Sequence, residues 1–137
     1  MDYPDYLQPV LERINPEYGV NIYCDEGWWN LIALCDKELA LIDPLYTVFQ
    51  IKEKFGGLRY YYNPSSPHNR ESMDTVVRKY EKVCSMTCEK TGKHGYLMIN
   101  GWGHIKTLGN EFLNNGWSMR RIAASVDSDE EQQGQKD

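Results

Sequence analysis

Two runs of β-favouring residues meet at a glycine pair in Gln50-Ile51-Lys52-Glu53-Lys54-Phe55-Gly56-Gly57-Leu58-Arg59-Tyr60-Tyr61-Tyr62. A two-residue hairpin turn needs positive φ at its central positions, and a Gly-Gly pair meets that need without steric cost. The segment therefore reads as a β-hairpin over residues 46–62. Before the turn, Thr47, Phe49, Ile51, Glu53 and Phe55 would share one face, and Tyr46, Val48, Gln50 and Lys52 the other. After it, Leu58, Tyr60 and Tyr62 alternate with Arg59 and Tyr61.

Helical spacing flanks this hairpin. Trp28, Leu31, Ile32, Cys35 and Leu39 predict an amphipathic helix over 26–39, with Asp25 as its N-cap. Met73, Val76, Val77, Tyr80, Cys84 and Thr87 predict a second over 72–90, capped by Ser72 and stopped at Gly92. Pro9 suits the first turn of a short N-terminal helix. Tyr96-Leu97-Met98-Ile99 is a candidate third strand, and a last helix is expected between Asn110 and Ala124. The fold class is α+β: an antiparallel sheet of two or three strands packed by two helices. Residues 1–126 read as one globular domain and 127–137 as an acidic, disordered tail.

Charge narrows the function classes. The net charge is −5, and the tail contributes −4 through Asp127, Asp129, Glu130, Glu131 and Asp137 against Lys136, so the body is near −1. A near-neutral body disfavours broad, charge-driven DNA binding and leaves room for a local basic patch. Apolar runs fall well short of the roughly 20 residues of a membrane span, and the N-terminus lacks a signal pattern, so a cytoplasmic chain with no membrane contact is expected. In that compartment Cys24, Cys35, Cys84 and Cys88 are reduced thiols unless they bind metal.

Gly27-Trp28-Trp29, the hairpin segment, Ser85-Met86-Thr87-Cys88-Glu89, and Gly101-Trp102 with Thr107-Leu108 together resemble a family of small uncharacterised proteins carried by bacteriophages and prophages. The likeness covers roughly residues 24–112. It implies a setting in the host cytosol and no particular chemistry. Many members look as if they carry a late zinc knuckle, Thr-Cys-Glu-x-Cys-Gly followed by Thr-Leu-Cys-x-x-His. Four soft ligands of that kind close a structural zinc site. Here the ligand positions fall on Cys88, Thr91, Gly109 and Phe112, so one thiolate is left and apolar packing at Phe112 is expected in place of the metal.

The remaining chemistry has bland rivals. Cys84, Cys88, His94 and His104 can be drawn as a metal set, although Cys84 also continues a core stripe. Cys88 with His94 or His104 can be drawn as a nucleophile and base, but a position near a helix C-terminus disfavours a thiolate. Lys52, Lys54 and Arg59 beside Tyr60, Tyr61 and Tyr62 fit a ligand platform, and equally a well-packed sheet edge. Trp29 lies off the buried stripe and is a candidate contact. The expectation is a non-catalytic accessory protein without a cofactor. It would bind a host protein through Trp29, Lys52, Lys54, Arg59 and Tyr61 and so inhibit a defence or housekeeping system. The alternatives are a nucleic-acid-binding module derived from a zinc knuckle, and an unrecognised enzyme.

Overall fold

The computed structural model describes residues 2–120. A short helix α1 (Gln8–Arg13) leads to strand β1 (Ile22–Tyr23), and a 3-10 turn at Glu26–Trp28 runs into α2 (Trp29–Ile42). The hairpin follows as β2 (Thr47–Lys54) and β3 (Gly57–Asn63), then α3 (Arg70–Cys84), β4 (Tyr96–Asn100), β5 (Ile105–Leu108) and β6 (Trp117–Met119). The strands form two small sheets, ordered β1-β2-β3 and β5-β4-β6. The α+β class and the antiparallel hairpin stand as read from the sequence. The third strand of the hairpin sheet is not 96–99 but β1, which pairs parallel to β2, while β4 is the centre of a second, antiparallel sheet.

Two helical stripes with 4-3-4 spacing close the main core. Trp28, Ile32, Cys35 and Leu39 come from α2 and the turn before it, and Met73, Val77, Tyr80 and Cys84 from α3. They pack on Val48, Ile51, Leu58, Tyr60 and Tyr62 of the hairpin. Burial of Val48 and of Ile51, three positions apart, breaks the strict alternation expected of β2. A bulge between Val48 and Gln50 is the cause: it turns Phe49 out to solvent and restores the face at Ile51.

Several boundaries differ from the sequence reading. The hairpin turn is Phe55-Gly56, with φ of +55° and +82°, and Gly57 already pairs with Lys54. Ser72 is inside α3. Ser66 caps the 3-10 turn Pro67–Asn69 that feeds the helix, its side chain accepting from the His68 N–H. The helix ends at Cys84 rather than near residue 90. Beyond it the Cys88 N–H donates to the Lys93 carbonyl (2.6 Å) and the Gly92 N–H to the Cys88 carbonyl (2.9 Å), a turn that competes with helix and wins through tertiary contacts. Asp25 makes no side-chain cap; its carboxylate pairs with Lys90 at 3.1 Å. In place of the last helix, residues 110–112 form a 3-10 turn and 117–119 form β6. Residues 121–124 of that span, the boundary at 126 and the tail lie outside the described residues.

The second sheet is tied to the first through one buried carboxylate. Glu89 is 1% exposed. Its Oε2 accepts the Asp25 N–H (2.9 Å) and its Oε1 the Lys106 ammonium (2.8 Å), which also reaches Glu53 Oε1 at 3.3 Å. The Glu89 carbonyl accepts the Gly27 N–H (2.7 Å), and the Glu89 N–H donates to the Thr107 carbonyl (3.0 Å). The Thr107 hydroxyl donates to the Gly56 carbonyl (2.7 Å), while the Gly56 N–H donates to Glu53 Oε2 (2.8 Å). The Trp28 indole N–H donates to the Thr87 carbonyl at 2.8 Å. Burial alone would lower the Lys106 pKa, but the hydrogen bond and charge of Glu89, with help from Glu53, carry it above the ordinary lysine value.

Gly27 is demanded by this junction. A Cβ there would lie 2.4 Å from the carbonyl oxygens of both Cys88 and Glu89. Gly27→Ala is expected to cost about 3 kcal/mol in urea unfolding by forcing two backbones apart. Gly101→Ala, where a Cβ meets nothing within 4 Å, should stay within about 0.5 kcal/mol of the parent.

At the other end of the hairpin, buried Asp43 accepts the Ser65 hydroxyl (2.6 Å) and the Ser65 N–H (2.7 Å). The Ser65 hydroxyl is the main cause of its pKa falling below the ordinary 3.8, against the opposing effect of burial. A depressed folded-state pKa stabilises the fold fully above 3.8 and loses that contribution as pH falls through the folded value. Ser65→Ala should therefore lower the melting temperature at pH 7, and its deficit should shrink below about pH 4.

Candidate functional site: the open face of the first sheet

Residues that face away from the core on β1, β2 and β3 fall into rows. Tyr23, Lys52 and Arg59 stand side by side, because Tyr23 pairs with Lys52 and Lys52 with Arg59. One row along, Gln50 faces Tyr61, and the bulged Phe49 sets its ring edge-on to Tyr61 (6.1 Å between centroids) and to Tyr18 (4.9 Å). Tyr18, Tyr23, Phe49 and Tyr61 are each 41–51% exposed, so no other element of the described protein covers this face. Of the sequence-derived contacts, Lys52, Lys54, Arg59 and Tyr61 are brought together here.

Among the described residues, no carboxylate lies within ion-pair distance of Lys52, Lys54 or Arg59, as is also true of Lys37, Arg70, Arg78, Lys82, Lys93 and Arg120, and the charge of Arg59 still favours the ionised form of the half-buried Glu81 carboxylate. Arg59 donates only a long 3.4 Å bond to the Leu58 carbonyl, and Lys54 sits 5.6 Å from the centre of the Phe55 ring. Directly opposed like charges such as Lys52 and Arg59 destabilise a sheet. Phe55 adds a second local cost, since a bulky residue at positive φ is strained, yet its side chain is 65% exposed and supports no core. The like-charge opposition lies on the open face and the strained Phe55 in the turn beside it.

Trp29 does not belong to this group. Its indole N–H donates to the Cys24 carbonyl (3.2 Å), its ring tilts against Tyr3 (5.2 Å), and it is half-buried beside Cys24, Asp25, Glu26 and Lys90. Tyr18, Tyr23 and Phe49 were missed by sequence reasoning. Only the bulge turns Phe49 outward, and only the parallel pairing of a two-residue strand places Tyr23 in the row. Trp102 was noted as part of a motif but not as a contact; it is 87% exposed on the β4–β5 turn, where Asn100 Oδ1 accepts the N–H groups of Trp102 and His104 at 2.9 Å each.

The metal and thiol candidates are dispersed. Cys84 is buried in the main core and Cys88 in a small second core with Met98 and Leu108. The helix ends at Cys84, so Cys84 and Cys88, four positions apart, do not share a helical face. His94 is exposed and lies edge-on to Tyr96, and His104 is exposed on its turn. Among the described residues no three Cys, His, Asp or Glu side chains converge as metal ligands. Burial pushes the Cys84 thiol up to about 12, and burial also raises Cys24 and Cys35, so these sulfurs stay protonated. The knuckle-like positions do meet: a Cβ on Gly109 would lie 3.9 Å from that of Cys88, and Phe112 packs on the same cluster, while Thr91 is exposed. The groups nearest Gly109 are polar: a Cβ there would lie 2.9 Å from Glu111 Oε1 and 3.4 Å from the His94 carbonyl oxygen.

A groove of about 680 Å³ lies between α1 and α2, walled by Tyr6, Pro9, Ala33, Leu34, Ala40 and Leu41. Beneath it Arg13 Nε donates to Asp36 Oδ1 (2.6 Å), the Tyr46 hydroxyl bonds the same oxygen, and Tyr46 and Tyr60 hydroxyls lie 2.8 Å apart. Burial first, and for Tyr46 the Asp36 bond second, raise both tyrosine pKa values far above the ordinary one. These hydroxyls hold α1, α2 and the hairpin together as neutral donors.

No family model matches this chain, and no curated protein or solved structure is similar to it. No described helix is long and apolar enough to cross a membrane.

The like-charge pair supplies a direct check that the face is not built for stability. Lys52→Glu should raise the unfolding free energy by about 0.5 kcal/mol at low salt by replacing repulsion with a cross-strand ion pair to Arg59. The gain should fade as salt rises.

Proposed function

We propose that this chain is a non-catalytic binding protein, and that the open face of the first sheet docks an acidic surface of a host protein. The observation that carries the reading is the gathering of three cations without carboxylate partners among four exposed aromatic rings on one face of a net-acidic chain. Aromatic side chains give large contact area at low entropic cost, and Arg and Tyr are the residues that dominate binding hot spots. An acidic partner would bring the missing counter-charges and remove the Lys52–Arg59 repulsion as it binds. The bacteriophage resemblance supports a host setting, in which such a factor would inhibit a defence or housekeeping system.

A second reading rests on the same rings. Cations interleaved with exposed aromatics also suit single-stranded nucleic acid, whose bases stack on rings while its phosphates meet Lys and Arg. Three phosphate contacts would give a log–log salt slope near −2 (about −0.7 per contact for single strands).

Affinity capture of the tagged chain from bacterial lysate, with and without nuclease, separates the two. One protein recovered in near-stoichiometric amount despite nuclease is expected, and Arg59→Glu or Tyr61→Ala should each weaken its capture at least tenfold. Recovery that vanishes with nuclease would replace the protein partner with nucleic acid. Recovery insensitive to both substitutions but lost in Trp102→Ala would move the interface to the β4–β5 turn.

A further inference from the structure

We propose that the groove between α1 and α2 binds a small neutral phenol, its ring against the helices and its hydroxyl on Asp36 and Arg13 at the floor. The site stands apart from the open sheet face and does not depend on that reading.

The floor of the groove is polar and incompletely paired. Asp36 and Arg13 both line it. Asp36 is 3% exposed, yet the bonds it accepts, from Arg13 Nε (2.6 Å) and from the Tyr46 hydroxyl, both fall on Oδ1. Among the described residues no donor reaches Oδ2. Arg13 uses Nε on Asp36 and Nη1 on the Pro44 carbonyl (3.1 Å), and no described acceptor takes Nη2. A buried carboxylate oxygen without a donor is costly, so a ligand that supplies one gains more than it loses on leaving water.

The inner side of the same carboxylate shows which donor fits. There the Tyr46 hydroxyl bonds Oδ1, and the Arg13 guanidinium lies 4.6 Å from the centre of the Tyr46 ring. Asp36 and Arg13 thus already hold one phenol, by its hydroxyl and by its ring face. A hydroxyl both donates and accepts, so a second phenol can donate to Oδ2 and accept from Arg13 Nη2. The two side chains form an ion pair that is neutral as a whole. An ionised ligand would lose its hydration there without meeting an uncompensated opposite charge, which selects a neutral one.

Above the floor the walls are apolar. Tyr6, Pro9, Ala33, Leu34, Ala40 and Leu41 line a space of about 680 Å³. Small-molecule sites run to roughly 300–1,000 Å³ and combine such walls with a few converging polar groups. A second copy of the chain is a poor occupant. Lys37 lies between Leu34 and Leu41 on the same wall of α2, and a two-fold axis through that stripe would oppose two lysines.

The test uses the full-length chain with p-cresol, and with toluene as the same ring lacking the hydroxyl. p-Cresol should shift the amide signals of Ala33, Leu34, Ala40 and Leu41, with a Kd on the order of 1 mM for so small a probe. Toluene should bind at least about tenfold more weakly, because a hydrogen bond to a charged acceptor is among the stronger ones. Benzoate should bind no better than toluene. Ala40→Trp, which puts a ring into the groove, should abolish the p-cresol shifts while its circular dichroism stays that of the parent. Equal binding of p-cresol and toluene would overturn the proposal by reducing the groove to an apolar surface. So would the absence of shifts, shifts confined to Tyr61 and its neighbours on the open sheet face, or shifts that persist in Ala40→Trp. N-acetyltyrosinamide binding tighter than p-cresol would overturn the free small molecule in favour of a tyrosine carried on a partner peptide.

Discussion

Glu89 is the point on which the rest of the structure turns. A carboxylate only 1% exposed is costly to bury, and it is tolerated because every face of it is answered: a backbone N–H from Asp25, the Lys106 ammonium, and its own backbone bonded to Gly27 and Thr107. Through those partners it joins the start of α2, the hairpin tip and the second sheet. Gly27 is there because backbone must approach backbone, Glu53 and Gly56 because the hairpin tip must accept Lys106 and Thr107, and Thr87 because its carbonyl receives the Trp28 indole.

A division between buried and outward side chains runs through the hairpin. In the hairpin, Ile51, Leu58 and Tyr60 face the core, and Glu53 and Gly56 face the junction. Lys52, Lys54, Arg59 and Tyr61 face outward and contribute little or negatively to the fold. A rigid two-stranded support, fastened at one end by Glu89 and at the other by Asp43, holds these four at fixed spacing. Preorganisation of this kind lowers the ordering cost that a binding surface must overcome.

The turn at Cys88–Gly92 is closed by its own backbone, Cys88 N–H donating to the Lys93 carbonyl and Gly92 N–H to the Cys88 carbonyl. Its backbone bonds are satisfied internally, and its interior is Cys88, Met98 and Leu108 with Phe112, Leu113 and Trp117 around them. So small an apolar cluster supplies limited stability by itself. The bonds from Thr107 and Lys106 to the hairpin therefore matter more to the second sheet than its own core does.

The sequence by itself determined the hairpin, the two amphipathic helices and the grouping of Lys52, Lys54, Arg59 and Tyr61, because local period and turn chemistry are written in neighbouring residues. Tertiary structure decided the rest. A bulge turned Phe49 outward, a two-residue parallel strand brought Tyr23 alongside Lys52, and the knuckle turn cut α3 short at Cys84. It also drew Trp29 away from the site onto Tyr3 and Cys24. Tyr23 meets Lys52 from 29 positions away and Trp29 meets Tyr3 from 26, and no local pattern encodes such meetings. The buried charge of Glu89 is the clearest case: in the sequence it is one acid beside a cysteine, and only the fold supplies the lysine and the backbone amides that make its burial affordable.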